Sequence, residues 1–475
     1  MKQMTLKTTS GLSLPAVKDR SSRGALWRFP ARVPLLLLVT GLFLQMPSVW
    51  AQQQETPGKA AISQESPFGT YDSFEKLLQA AQGGDADAQI KVGLCYGKGI
   101  GVTQDYEKAF TWVMKSAEQG NALGAYLVAD CYMQGKGVEQ NIPQAMEWFT
   151  KAANQGNAIA QYNLGAIYSE GLLGIPKNEK KAFFWFEKAA NQGDKDAQNN
   201  LGRYYYNGLG VPKDLEKAFY WFEKAANQNK EAQYNMGVFY YQGQVVQKDL
   251  KQAEYWWEKA AEQGDPNAQA SLGLLYRNDD KDVSSVIPQN PEKSIYWTQK
   301  AANQGVVRSQ YDMGLIYYAG LGGMKKDRDK AMEWWEKAAQ AGNMDAQQAL
   351  GICYMEKKEI PGNLEKSIHW LQKAAAQGAP PAQRNMGTFY AMGLGGLKKD
   401  VNKALELWKK AAEAGDSEAQ YALGLCYAGD AEYYDPDKIY QNMPEAKKWL
   451  QKAADQGHER AKEALERLFH IKASS

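Results

Sequence analysis

Three histidines and four cysteines are the whole stock of imidazole and thiol groups available for metal binding or nucleophilic chemistry in 475 residues. His369 stands alone, and His458 and His470 are twelve residues apart, so they do not share a helical turn and neither a metal site nor a catalytic triad follows from them. Acidic residues gather in Arg277 to Pro291 (Asp279, Asp280, Asp282) and in Asp430 to Met443 (Asp430, Glu432, Asp435, Asp437). Neither stretch has the ligand spacing or central glycine of a calcium loop, so both are expected to be solvated insertions, with Tyr433, Tyr434 and Tyr440 as contact residues in the second. Short elements such as Gly99-Ile100-Gly101 follow and precede helical patterns and lack a phosphate-binding lysine, which excludes a dinucleotide loop. No catalytic residue, metal or cofactor is expected.

The cysteines instead lead to the organisation of the chain. Cys95, Cys131, Cys353 and Cys426 occupy one repeating position, filled elsewhere by Ile167, Tyr204, Phe239, Leu275, Ile316 and Phe389. That equivalence makes them small core residues rather than disulfide partners, since equivalent positions in stacked units lie too far apart for a bridge. The position belongs to a unit of 35 to 37 residues, once 41, counted on Gly93, Ala129, Gly165, Gly202, Gly237, Gly273, Gly314, Gly351, Gly387 and Gly424. A tyrosine follows three residues later in every unit, from Tyr96 to Tyr427, and a tryptophan follows in the second half, from Trp112 through Trp221 and Trp408 to Trp449.

Each unit reads as two amphipathic helices. Ala197, Leu201, Tyr204 and Tyr205 share one face of a helix A, and Ala218, Trp221, Phe222, Ala225 and Ala226 share one face of a helix B. Gly208, Gly210 and Pro212 stop helix A, and Asp214 stands as the N-cap of helix B, as do Asp249, Asp327 and Asp400. Gly193, Gly264, Gly342 and Gly415 suit the left-handed position that closes helix B. One unit cannot bury both apolar faces alone, whereas stacked units can, so the expected fold is all-α: an α/α solenoid, a right-handed superhelix of about ten helix pairs. Phe74 to Gln82 and Ala461 to Phe469 are its expected capping helices.

Residues 1–51 carry Lys2, Lys7, Lys18, Arg20, Arg23, Arg28 and Arg32 against Asp19 alone, then the apolar run Val33 to Leu44 and a small residue at Ala51. This has the order of a secretory signal peptide cleaved near Ala51-Gln52, and the run is shorter than the roughly 18 residues of a membrane span. The expected location is therefore periplasmic or secreted, with no stable membrane span after cleavage. Residues 52–70 are rich in Gln, Glu, Ser and Pro and are expected to be a flexible linker to a solenoid over residues 71–472. The whole chain carries +2, but without the leader 49 basic residues face 53 acidic ones, which argues against nucleic acid as a partner. Oligomeric state is not encoded in any spacing.

The phrase Ala-x-x-x-Leu-Gly-x-x-Tyr-x-x-Gly-x-Gly-Val, followed by Asp-x-x-Lys-Ala-x-x-Trp and Lys-Ala-Ala-x-Gln-Gly, resembles Sel1-like repeats, relatives of tetratricopeptide repeats. The resemblance runs over residues 71–470, with departures at Ala125-Tyr126, Asn229 and Ser309. It implies an α/α superhelix that serves as an adaptor or scaffold for protein complexes. Exported, cysteine-rich members of the family, some labelled β-lactamases, staple the two helices of a repeat; no repeat here has a cysteine in both helices. An enzyme acting on cell wall or β-lactams would need a serine paired with lysine or histidine, and none is recognisable.

A protein or peptide partner remains the best expectation, held on the arc of helix A opposite the Ala, Leu and Tyr core. Three positions before the Leu-Gly glycine lie Tyr126, Tyr162, Tyr234, Tyr311, Arg384 and Tyr421; two before it lie Asn163, Asn200, Asn235, Asp312 and Asn385; one after it lies Arg203. Tyrosine supplies contact area at low entropic cost, and an amide can donate to and accept from a peptide backbone. These residues are expected to be exposed in a concave groove. The alternatives are packing of the tyrosines against the next repeat, and a solenoid that only spaces other parts of an envelope assembly.

Overall fold

The computed structural model describes residues 71–277, 281–356, 360–429 and 441–470, and every regular element among them is helical. The leader, the linker and the tyrosines of the second insertion lie outside the described residues. The helices form two compact units, one ending at Gln263 and one starting at Gly264. The first comprises α1 (Phe74–Gln82), α2 (Ala86–Lys98), α3 (Tyr106–Glu118), α4 (Ala122–Gln134), α5 (Ile142–Asn154), α6 (Ala158–Glu170), α7 (Glu179–Asn191), α8 (Lys195–Asn207), α9 (Leu215–Ala225), α10 (Lys230–Gln242) and α11 (Leu250–Glu262). The second comprises α12 (Pro266–Arg277), the short α13 (Lys281–Ser284), α14 (Pro291–Asn303), α15 (Val307–Ala319), α16 (Arg328–Gln340), α17 (Met344–Glu356), α18 (Asn363–Ala376), α19 (Pro380–Met392), α20 (Val401–Glu413), α21 (Ser417–Ala428), α22 (Met443–Asp455) and α23 (Glu459–Phe469).

Within each unit every A helix packs on the B helix that follows it, and that B helix on the next A helix, as in an α/α solenoid. The expected end helices are present as α1 and α23. The local signals work as read. The Asp214 side chain accepts the Lys217 N–H at the start of α9, and Asp249, Asp327 and Asp400 cap α11, α16 and α20 in the same way. Gly208 ends α8 at φ 72°, a conformation that costs a residue with a β-carbon.

The recurring motif residues have separate tasks. The N-cap residue of every B helix but α18 donates its own N–H to the carbonyl of the recurring tyrosine, as Asp214 does to Tyr205 at 2.9 Å, which fixes the A–B turn. The lysine of Asp-x-x-Lys then lies over that ring, as Lys217 over Tyr205 at 5.3 Å and Lys403 over Tyr390 at 4.2 Å. The Leu-Gly glycine is where helices A and B touch: a β-carbon on Gly165 would stand 2.6 Å from the Phe186 ring, and one on Gly202 2.8 Å from the Phe222 ring.

This contact corrects the register of one tryptophan. Trp408 faces Gly387, so it occupies the interlocking position shared with Phe222, Trp257 and Trp335, and Leu407 stands where Trp221 and Trp256 do. The interlocking indoles are buried and donate Nε1–H to helix A: Trp257 to the Tyr234 carbonyl (3.2 Å), Trp335 to Tyr311 (3.2 Å) and Trp408 to Arg384 (3.1 Å). Trp221 and Trp256 are half-buried and pack back on the core of the preceding repeat.

A polar spine runs inside the stack. Gln161 is buried, donates Nε2–H to the Ala153 carbonyl of the preceding B helix at 2.9 Å, and accepts from Gln192 of the following B helix at 2.7 Å. Gln233 repeats the pattern with Ala226 and Gln263, Gln347 with Ala339 and Gln377, and Gln420 with Ala412 and Gln456. Each such glutamine thus ties its A helix to the B helices on both sides, leaving no buried amide of its own unpaired.

Candidate partner-binding face

Helix A meets more neighbours than a surface helix does, and this decides which of its residues are accessible. In α8 the residues Ala197, Gln198, Asn199, Leu201, Gly202 and Tyr204 are buried. Asp196, Arg203 and Asn207 are exposed and Asn200 is half-buried. Their spacing of i, i+4, i+7 and i+11 is a single narrow stripe along the helix. In α10 the same stripe is Glu231, Asn235, Val238 and Gln242.

The position three before the glycine lies outside that stripe, contrary to the expectation of an exposed tyrosine face. Tyr126 is 2% exposed, Tyr234 8% and Tyr311 7%, while Tyr162, Tyr421 and Arg384 are half-buried. The cause is contact between successive A helices. The Tyr126 hydroxyl meets the Asn163 side chain of the next repeat, Tyr162 meets Asn200, and Asn235 Nδ2 donates to Asn199 Oδ1 at 3.3 Å. The pairing joins the position three before one glycine to the position two before the next. Tyr126 and Tyr162 also lie against Phe149 and Phe186, with ring centroids 5.8 Å apart in each case. Burial raises the phenols of Tyr126, Tyr162 and Tyr311, the last two to about 12 and Tyr126 further.

Asn163 and Asp312 are buried as well, at 2% and 3% exposure. Asp312 sits between Arg308, at 3.2 Å, and Arg277, at 3.4 Å, and so ties α15 to α12. Arg384 pairs with Asp416 at 3.6 Å. Tyr421 stacks on His458 with centroids 4.7 Å apart and has Arg460 above its ring. Of the twelve residues expected at the face, Arg203 is exposed, and Asn200, Asn235 and Asn385 are half-buried on the accessible stripe. Sequence reasoning missed Asp196, Asn207, Glu231 and Gln242, which share the stripe and whose signal was their i+4 and i+7 spacing from Asn200, Arg203 and Asn235.

The cysteines and two of the three histidines have structural surroundings. All four cysteines are buried thiols outside any disulfide, and burial pushes the Cys131 and Cys426 thiols up to about 12. His458 caps α23 through Nδ1, which accepts the Ala461 N–H at 3.1 Å, and His369 packs against Trp370. Among the described residues no three His, Cys, Asp or Glu side chains are grouped to hold a metal, and no helix is long and apolar enough to cross a membrane.

The repeat itself is one found in known proteins. The model of the Sel1 repeat matches ten consecutive segments: residues 86–121, 122–157, 158–194, 195–230, 230–265, 266–306, 307–343, 345–378, 380–416 and 417–458. Among solved structures, c5321, a protective antigen of uropathogenic Escherichia coli strains displaying an SLR fold, is 30% identical, with a TM-score of 0.48, over 85% of this chain and 92% of that one. A Sel1 repeat protein from Oxalobacter formigenes is 33% identical, with a TM-score of 0.46, over 53% of this chain and 96% of that one. DAP3-binding cell death enhancer 1 of Rattus norvegicus is 36% identical over 75 residues, which are 16% of this chain and 14% of the rat protein.

Proposed function

Because the chain belongs to the Sel1 repeat family, we propose that it is an exported adaptor that holds a protein or peptide partner along the accessible stripe of its A helices. The observation that carries this reading is the stripe itself. Asp196, Asn200, Arg203 and Asn207, continued by Glu231, Asn235, Val238 and Gln242, offer donors, acceptors and both charges on rigid helices. Loops position a site less well than stacked helices do, and the Tyr–Asn contacts beneath the stripe hold adjacent A helices in register. Export rests on the basic and apolar leader, and mass determination of the chain recovered from an envelope fraction tests it: a mature form beginning at Gln52 is expected, and a retained leader refutes it.

The adaptor reading is tested by affinity capture from envelope extract with the full chain and with an Arg203→Ala, Asn207→Ala, Gln242→Ala variant. None of the three side chains is buried, so helicity and melting should be unchanged. A partner retained by the parent and lost by the variant supports the stripe. Equal capture by both refutes it and favours a solenoid that spaces other components.

A further inference from the structure

The second residue of each A helix is set by local physics in half of the repeats. Asp87, Asp196, Glu231, Asp345 and Glu418 stand there, where a carboxylate complements the positive end of the helix. In α4 and α6, which are consecutive, the same position carries Leu123 and Ile159, each 39% exposed. Neither packs in the core, and neither gains the electrostatic benefit that the site offers. The row across the first unit therefore reads Asp87, Leu123, Ile159, Asp196, Glu231: two apolar side chains with carboxylates on either side. Asp87 Oδ1 accepts from Asn121 at 3.0 Å and Asp196 Oδ1 from Asn229 at 2.8 Å, which fixes those carboxylates on the row. Lys195, the basic neighbour of Asp196, is turned to the Lys224 carbonyl and to Gln198.

From this row we infer that the first unit binds an extended peptide whose apolar and basic residues recur every third position. This rests on the adaptor reading and names the partner's chemistry. Successive A helices touch, α2 with α4 in the stack and α8 with α10 through Asn235 Nδ2 on Asn199 Oδ1 at 3.3 Å, and helices in contact lie about 8–10 Å apart. A polyproline II strand rises about 3.1 Å per residue with three residues per turn, so it presents the same face about every 9 Å. One peptide turn thus matches one repeat. An occupant laid across α2, α4, α6 and α8 would place two apolar side chains three residues apart on Leu123 and Ile159, with Lys or Arg three residues beyond each of them at Asp87 and Asp196. A backbone in that conformation leaves its N–H and C=O groups free for the amides of the stripe.

The test is fluorescence anisotropy of the full chain with a labelled probe, Lys-Gly-Pro-Leu-Gly-Pro-Leu-Gly-Pro-Lys, capped at both ends. Its controls are the same peptide with Glu for Lys, and one with the two leucines adjacent. The Leu123→Asp, Ile159→Asp variant restores the residue type that other repeats use at this position, so its fold is kept. Binding of the Lys probe at least tenfold tighter than either control, and at least tenfold weaker in the variant, is the expected result. Equal affinity for the Lys and Glu probes, an unaffected variant, or no binding of any probe overturns the inference. Loss of the adaptor reading would show separately, as a captured partner insensitive to the Arg203, Asn207 and Gln242 changes.

Discussion

Alanine in place of Gly314 sets two terms of known size against each other. In the interior of a helix the change from glycine gains about 1 kcal/mol in propensity. Opposing it, the new β-carbon would overlap the Trp335 indole, whose Cε2 would lie 2.7 Å away and whose Nε1 and Cδ1 would be closer still. Trp335 is fully buried, donates to the Tyr311 carbonyl at 3.2 Å and packs on Tyr318 with ring centroids 5.4 Å apart, so it has nowhere to turn without giving up that bond. Overpacking of this kind costs about 1–3 kcal/mol, and a buried donor left unpaired costs about 1–3 more. The expected net effect is a loss of about 1–5 kcal/mol. Gly165→Ala should behave differently although its helix contact is the same. Its neighbour Phe186 holds no hydrogen bond to lose, and repeat two already pairs Ala129 with Phe149, both buried. The propensity gain and the contact then offset each other to within about 1 kcal/mol. A repeat array does not unfold in one step, so the assay is native-state hydrogen exchange of α15 and α16 for the first variant and α6 and α7 for the second. Trp335→Phe added to Gly314→Ala should recover part of the loss. Equal destabilisation by the two alanines, or strict additivity of the Gly314 and Trp335 changes, would refute the interlock as the cause.

The glutamine spine makes a second claim: Gln161→Leu keeps the volume but removes the bonds to Ala153 and from Gln192, at about 0.5–1.5 kcal/mol each. Exchange should quicken in α5, α6 and α7 together, and an effect confined to α6 would refute a spine that links repeats. The buried acids set a direction with pH. Tyr162, Tyr311, Cys131 and Cys426 are pushed up to about 12 in the fold, so the folded chain holds protons that the unfolded chain releases from about pH 8.5 for thiols and about 10 for phenols. Their contribution is complete below those values and is lost as pH rises toward 12, so the urea midpoint should fall steadily above pH 9. A midpoint that is flat to pH 11.5 would contradict the burial of these groups. In the same experiment a thiol reagent at pH 8 should leave Cys131 and Cys426 untouched until denaturant is added.

The fold was legible because each helix carries its own punctuation. Asp214, Gly208 and the 35- to 37-residue return of Leu-Gly act locally, and local rules survive in the assembled chain. The face was less legible, and Tyr126 shows why. Placing the accessible arc opposite Ala, Leu and Tyr treats helix A as lying on a single neighbour, whereas α4 is in contact with α3 before it, α5 after it, and α2 beside it in the stack. Three contacts wrap most of a helix, which leaves one row of side chains rather than half a cylinder. Polarity then misleads, since Tyr126, Asn163, Asp312 and Gln161 are polar and buried, and Asp312 and Gln161 are paired with Arg277 and the Ala153 carbonyl of the preceding repeat, which no single repeat reveals. The spacing that does survive is the one between repeats. The position three before one glycine meets the position two before the next at a lag of one unit, as Asn199 does Asn235, while the Gln of helix A reaches back to the preceding helix B and accepts from the Gln that ends helix B of its own unit. Reading a repeat chain for complementarity at that lag, beside amphipathicity within the unit, separates Asn163, which is buried in the stack, from Arg203, which bonds Asn200 of its own helix and is exposed.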